Sequence, residues 1–281
     1  MEIKNNNFST TKTIANILIY FVLFLAGELG SSLLFDLIFS VFKFSNVEYY
    51  YILRMLGSLI FTFFLFWIYT TKVLHREMKD FGITCDIKQW GVILSVLLPA
   101  FVVGIFLQLG EMRINSFSTV EIVLIIIASI CIGLKSGILE EMLFRGFIMK
   151  LLENRWNRYI AIFVPSFLFS LVHIPSMENF TIGGVMLLII SGTLVGVMFS
   201  LVAYKGNSIS NSAMMHGIWN FVLITDILHI TTSAGAYGKP IFSLIIPSEN
   251  ILLTGGGFGI EASLVAIIGY LFVCSMTYRK K

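Results

Sequence analysis

The apolar residues of this 281-residue chain come in runs of about 20, the length a helix needs to cross a bilayer at roughly 1.5 Å rise per residue. Only 12% of the residues are charged, against about 25% in soluble domains. The 19 basic and 16 acidic side chains could not cover a soluble fold of this size. The chain is therefore read as an all-α, polytopic membrane protein. Disordered, fibrous, nucleic-acid-binding and disulfide-stapled secreted classes are excluded. Cys85, Cys131 and Cys274 are scattered, with no CxxC spacing, so neither a zinc site nor a disulfide framework is suggested.

Eight spans are drawn: Ile14–Phe42, Tyr49–Thr71, Trp90–Leu109, Val120–Leu139, Tyr159–His173, Phe180–Ala203, Ser208–Ile230 and Phe258–Met276. The first is uncleaved, because no small-x-small site follows its apolar core. An even number of spans puts both termini on one side, and the basic residues choose that side. Lys4, Lys12, Lys72, Arg76, Lys79, Lys88, Lys135, Lys150, Lys205 and Lys280–Lys281 fall on one face with Arg145, Arg155, Arg158 and Arg279. Only Lys43, Arg54, Arg113 and Lys239 fall on the other, so both termini are expected to be cytoplasmic. Tyr69, Trp90, Trp156, Tyr159, Tyr204 and Tyr278 gather at the same boundary, as an aromatic belt does. Thr231–Gly257 is expected to be the main external loop, with Gly255-Gly256-Gly257 a flexible connection. Residues 1–281 form one integral domain, with no soluble module and no fixed-period repeat.

In so apolar a chain the informative residues are ionisable ones inside spans, each costing roughly 2.5–3.5 kcal/mol at a helix centre. Three clusters stand out. In Glu140-Glu141-Met142-Leu143-Phe144-Arg145, Glu141 and Arg145 are four apart and can pair on one helix face. Glu140 points about 100° away and lacks that partner; a carboxylate so placed suits a general base. The plainer alternative is a charged helix end at the headgroups. Phe169 and His173 share the next face, bracketed by Pro165 and Pro175, which suggests a locally broken helix facing a cavity. His216 and Asn220 share a third face, where imidazole and amide can donate to one oxygen as an oxyanion hole requires. The alternatives are a structural hydrogen-bonding histidine for His173 and interhelical hydrogen bonding for His216 and Asn220. Together, a base, a second imidazole and two oxyanion donors form a complete set for attack of water on a carbonyl.

Other hydrolytic designs fit poorly. No histidine is followed by glutamate, so HExxH is absent. The aspartates Asp36, Asp80, Asp86 and Asp226 carry no GxGD motif, and Gly133-Leu134-Lys135-Ser136-Gly137 misplaces the serine of a nucleophile elbow. A glutamate-based site is left.

Glu140-Glu141-xxx-Arg145, Phe169-xxx-His173 and His216-xxx-Asn220, in that order on successive spans, resemble the three-motif signature of the CPBP family, the CAAX-protease and bacteriocin-processing membrane proteins related to the type II CAAX prenyl endopeptidases. The resemblance covers about residues 120–230, taken as the catalytic core. It implies an intramembrane glutamic endopeptidase on an eight-helix scaffold. Glu140, helped by His173, activates the water; His216 and Asn220 stabilise the oxyanion; Glu141 and Arg145 support Glu140. No cofactor or metal is expected, the mechanistic alternative being a metal held by Glu140, His173 and His216. The partners implied are the lipid bilayer of the cell membrane and a membrane-bound peptide or protein substrate: a CAAX protein, a bacteriocin or pheromone precursor, or a regulatory membrane protein. No nucleic acid is expected. The second functional reading is a non-catalytic immunity or accessory protein that binds a toxin or partner.

Cleavage is expected near the cytoplasmic side, yet one measure conflicts. His173 comes out about 21 Å along its helix from Tyr159, near the outer face, while Glu140 comes out near the inner face. They can share a water only if span four runs on into Phe144–Leu152, or if span five starts nearer Trp156 and is tilted or broken at Pro165. Glu28 and Asp36 in the first span face broadly the same way and suit a substrate or proton path, as in a transporter. Asp226 and His229 read as a solvated helix terminus, and Gly192-xxx-Gly196 as close helix packing.

Overall fold

The computed structural model describes residues 8–42, 47–232 and 238–278. Lys4, Lys43, Arg279, Lys280 and Lys281, counted above for orientation, lie outside the described residues. Helix α1 (Thr10–Phe42) packs on α2 (Val47–Ile68), which a π-helical turn extends over Tyr69–Val73. Helix α3 (Gln89–Phe106) leads to strand β1 (Glu111–Ile114). Helix α4 (Thr119–Glu141) starts at a capping box in which Ser118 Oγ accepts from the Glu121 amide while the Glu121 carboxylate accepts from the Ser118 amide. It runs through a π-helical turn (Met142–Ile148) into α5 (Met149–Arg155). Asn157 caps α6 (Arg158–Val172) and Thr181 caps α7 (Ile182–Gly206), each accepting a backbone N–H. Helix α8 (Ser210–Leu223), strands β2 (Leu228–Thr231) and β3 (Phe242–Ile245), the short α9 (Ile251–Thr254) and α10 (Leu264–Thr277) complete the described chain.

Among the described residues, six helical segments are long and apolar enough to cross a membrane. The protein is a helical, polytopic membrane protein. Exposed Leu, Ile, Val and Phe side chains cover α1, α2 and the outer faces of α3 and α4, a surface suited to lipid rather than water.

Two expected spans are shorter in the structure. The seventh stops at Leu223 instead of Ile230, and the last starts at Leu264 instead of Phe258. Residues released from the seventh span form β2, which joins a three-stranded sheet of order β1-β3-β2, β3 pairing antiparallel with β1 and parallel with β2. This sheet caps one end of the bundle and replaces part of the expected external loop. The opposite end is traced by contacts: Arg155 Nε donates to Thr10 Oγ1 at 2.9 Å, Arg158 lies over the Tyr204 ring at 4.4 Å, and Lys205 Nζ donates to the Met276 carbonyl at 2.8 Å. The starts of α1 and α6 and the ends of α5, α7 and α10 therefore share that end.

Lys135 is not at that end. It sits within α4, where its Nζ pairs with Glu28 Oε2 of α1 at 2.7 Å, and Ser58 of α2 donates to the same carboxylate. Asp36 accepts from Tyr50 and Ser32. Both acids of the first span thus tie α1 to its neighbours rather than face a common path. Asp226 also departs from expectation: its Oδ1 lies 3.1 Å from Nε2 of His229, which is buried in β2.

Candidate functional site

The site rests on backbone contact between α4 and α8. A Cβ on Gly137 would come within 2.5 Å of the Ala213 carbonyl, and one on Gly133 within 2.7 Å of the Gly217 carbonyl. Only glycine lets the helices approach this closely. On the far side α6 meets α7 the same way, since a Cβ on Gly196 would lie 2.7 Å from Ser166 Cα, the close packing anticipated for Gly192-xxx-Gly196. Between these contacts the three motif helices converge.

Glu140 and Glu141 end the regular part of α4, and the continuous helix runs on to Arg155. This settles the conflict in depth. Glu140 lies fifteen residues before Arg155 and His173 fifteen residues after Arg158. Both are therefore about 22 Å from the tight α5–α6 turn. The cluster sits deep in the bundle and not at the basic end of a span. Pro165 does not break α6, which continues unbroken to Val172; the helix ends ahead of Pro175.

His173 caps the end of α6, with Nδ1 2.7 Å from the Phe169 carbonyl. That contact assigns Nδ1 as the protonated nitrogen and turns Nε2 inward. His173 Nε2 is 4.0 Å from Glu140 Oε2, and His216 Nε2, from α8, is 3.9 Å from the same oxygen. Glu140 Oε2 is buried and has no hydrogen-bond partner. Among the described residues no three His, Cys, Asp or Glu side chains group closely enough to hold a metal ion.

A buried ion pair holds His216 from behind. Its Nδ1 lies 3.1 Å from Glu141 Oε1, which also accepts from Arg145 at 2.7 Å. Glu141 and Arg145 are fully buried. The guanidinium also donates to the Gly196 carbonyl at 3.3 Å and is ringed by Phe169, Phe199 and Phe144 at 4.7, 5.2 and 5.7 Å. Arg145 lies in the π-helical turn, a distortion found frequently at functional sites. Phe199 stacks on His216 at 4.9 Å and 16°, fixing the plane of the ring.

Asn220 stands one turn further along α8, where its Nδ2 donates to Ser136 Oγ of α4 at 2.7 Å. One amide N–H is thus engaged and a second is left for another acceptor.

Several side chains at this site carried no motif. Ser136 lay inside the rejected elbow. Phe199 is one phenylalanine among 26. Glu261, in the turn before α10, accepts from Trp219 Nε1 at 3.0 Å and lies within electrostatic range of Glu140, His173 and His216. Its signal was present: an acid inside an apolar stretch, the criterion that singled out the other clusters. The glycines before it are not a flexible connection. Gly255, Gly256 and Gly259 adopt left-handed φ of 79°, 62° and 91°, and the Gly257 carbonyl accepts from the Glu178 amide at 2.8 Å. This turn brings Phe258 to 6.1 Å from the His173 ring, measured between centroids.

The fold and cluster define a class, a helical membrane protein with a carboxylate and two imidazoles converging at depth between helices. Residues 119–222 match the family model described as Type II CAAX prenyl endopeptidase Rce1-like. The matched segment spans α4 to α8, includes all six candidate residues, and bears out the resemblance to the CPBP family. At family level this supports a CAAX-type intramembrane protease acting on a peptide or protein. No curated protein and no solved structure matches the chain.

Proposed function

We propose that the protein is an intramembrane endopeptidase of the cell membrane, in which residues 120–230 form the catalytic core of a single integral domain. The observation that carries this reading is the convergence of His173 Nε2 and His216 Nε2, from two different helices, on one unpartnered oxygen of Glu140. With Nδ1 of His173 directed at the Phe169 carbonyl, its Nε2 is an acceptor, as is the Glu140 carboxylate oxygen. A single water about 2.8 Å from both would donate one proton to each. Glu140 takes a proton from that water as it attacks the scissile carbonyl, and His173 orients it. The proton then passes to the leaving amine, so that hydrolysis balances with one carboxyl and one amine product.

His216 and Asn220 stabilise the oxyanion. His216 does so as the imidazolium throughout, its Nδ1–H held by Glu141 of the Glu141–Arg145 pair and its Nε2–H directed at the oxyanion. The free N–H of Asn220 is the second donor. The substrate class is a membrane-associated protein or peptide precursor. The test compares short membrane and secreted peptides from cells carrying wild type or Glu140→Gln at matched protein levels. Termini that vanish only in the variant support the reading and reveal the substrate. Identical profiles, with the wild-type phenotype retained, would replace it with a binding or immunity role.

A further inference from the structure

A cavity of about 580 Å³ opens at the sheet-capped end of the bundle. Its walls come from the α6–α7 connection, the end of α8, strand β2 and the segment between β3 and α10. Phe258 and Glu261 are among its lining residues, and through them it reaches the site: Phe258 faces the His173 ring, and Glu261 is bonded to Trp219, the neighbour of Asn220 on α8. Leu223, Ile230, Ile246 and Ile251 make much of the wall apolar. The charged residues that line it are Glu178, Glu249 and Glu261; no lysine, arginine or histidine is among the described lining residues.

Glu261 differs from the other two acids. Glu178 and Glu249 are exposed, whereas Glu261 is half-buried at the inner end. Its position is held from both sides. The side chain accepts the Trp219 N–H, and Tyr270 OH donates to its backbone carbonyl at 3.0 Å. Among the described residues no lysine or arginine pairs with it. A carboxylate fixed in a partly desolvated, apolar-walled space, without a cation of its own, favours a ligand that brings one.

We propose that Glu261 is a specificity-determining residue, its carboxylate selecting peptide segments that carry a cationic group, a lysine or arginine side chain or a free α-ammonium, close to the bond delivered to Glu140. The inference rests on the endopeptidase reading and adds to it a substrate property. An extended segment seated along the apolar wall sets its positive group against Glu261 while the adjoining peptide bond passes Phe258 toward the two imidazoles. Glu261 takes no proton from substrate and is not a catalytic residue.

The test uses full-length protein in cells carrying wild type, Glu140→Gln, Glu261→Gln or Glu261→Asp, with peptide termini sequenced by mass spectrometry. Termini present in wild type and lost in Glu140→Gln define the cleavage sites. Glutamine retains an acceptor for Trp219 but removes the charge, so Glu261→Gln should cut sites flanked by a cationic group at least tenfold less often relative to uncharged sites. Glu261→Asp should keep the preference. A fold defect would lower all sites together in both variants and leave their ratio unchanged. A preference for cationic sites that persists in Glu261→Gln, or a wild-type set with no such preference, overturns the assignment and leaves the endopeptidase reading intact. Wild-type and Glu140→Gln profiles that coincide overturn both.

Discussion

The contact at Gly137 makes the most quantitative prediction. A methyl group there would stand 2.5 Å from the Ala213 carbonyl, 2.8 Å from the Gly217 amide nitrogen and 3.0 Å from Gly217 Cα, where ordinary contact begins at 3.4 Å. All three obstacles are backbone atoms, so no rotamer change relieves them. Helix α8 must retreat from α4 by about 0.9 Å, and His216 travels with it. The His216 Nε2–Glu140 Oε2 separation of 3.9 Å then grows toward about 4.8 Å, which carries the oxyanion donor away from the base it works with. A displacement of about 1 Å in a catalytic constellation costs on the order of 10²-fold in rate. Overpacking of this kind costs about 1–3 kcal/mol of stability, so the protein should stay folded. Gly137→Ala is therefore expected to reach the membrane normally and lose about 99% of its cleavage of whichever precursor Glu140→Gln spares. Gly104→Ala, where a Cβ meets nothing within 4 Å, is the matched control and should keep full activity. Wild-type activity within threefold in Gly137→Ala, with an unchanged melting temperature in detergent, would refute the claim that glycine-mediated contact sets the site.

Arg145→Met leaves the fully buried Glu141 without its cation and should cost about 3–5 kcal/mol, read as a fall in detergent melting temperature. Stability within 1 kcal/mol of wild type would mean that the pair contributes little to the fold. His216→Ala should slow turnover by about 10²–10³ if the ring donates to the oxyanion; a rate within a few-fold of wild type removes it from the site. Asp226 provides a pH signature outside the spans. Burial opposes its charge, but the His229 hydrogen bond and charge together with the Lys239 amide and charge outweigh this and hold its carboxyl below the usual range. A folded pKa below the unfolded value of about 3.9 means that the stabilisation is complete above that value and is lost as pH falls through the folded one. The melting-temperature advantage of wild type over Asp226→Asn should therefore be full at pH 6 and shrink below about pH 4; an advantage that grows on acidification would contradict the assignment.

The helical class, the succession of spans and the three motif clusters were legible in the one-dimensional pattern, because hydrocarbon enforces both on the chain. Long apolar runs must be helices, and an ionisable residue retained within one has to be compensated or used. The Glu141–Arg145 pairing followed from helix periodicity alone, as did the separation of Glu140 from that pair. Tertiary structure decided what these rules leave free. The depth of Glu140 depended on α4 continuing through a π-helical turn to Arg155, which apolar character permits but does not require. Lys135 counted as a surface charge until Glu28, 107 positions away, was placed beside it. The sheet went unseen because its four-residue strands sit within and beside apolar runs and gain their meaning only from one another. Glu261 and Phe258 joined the site because left-handed glycines turn the chain back toward His173. The close approach of α4 and α8 depends on which glycines face each other, a property of the packed pair and of neither helix alone.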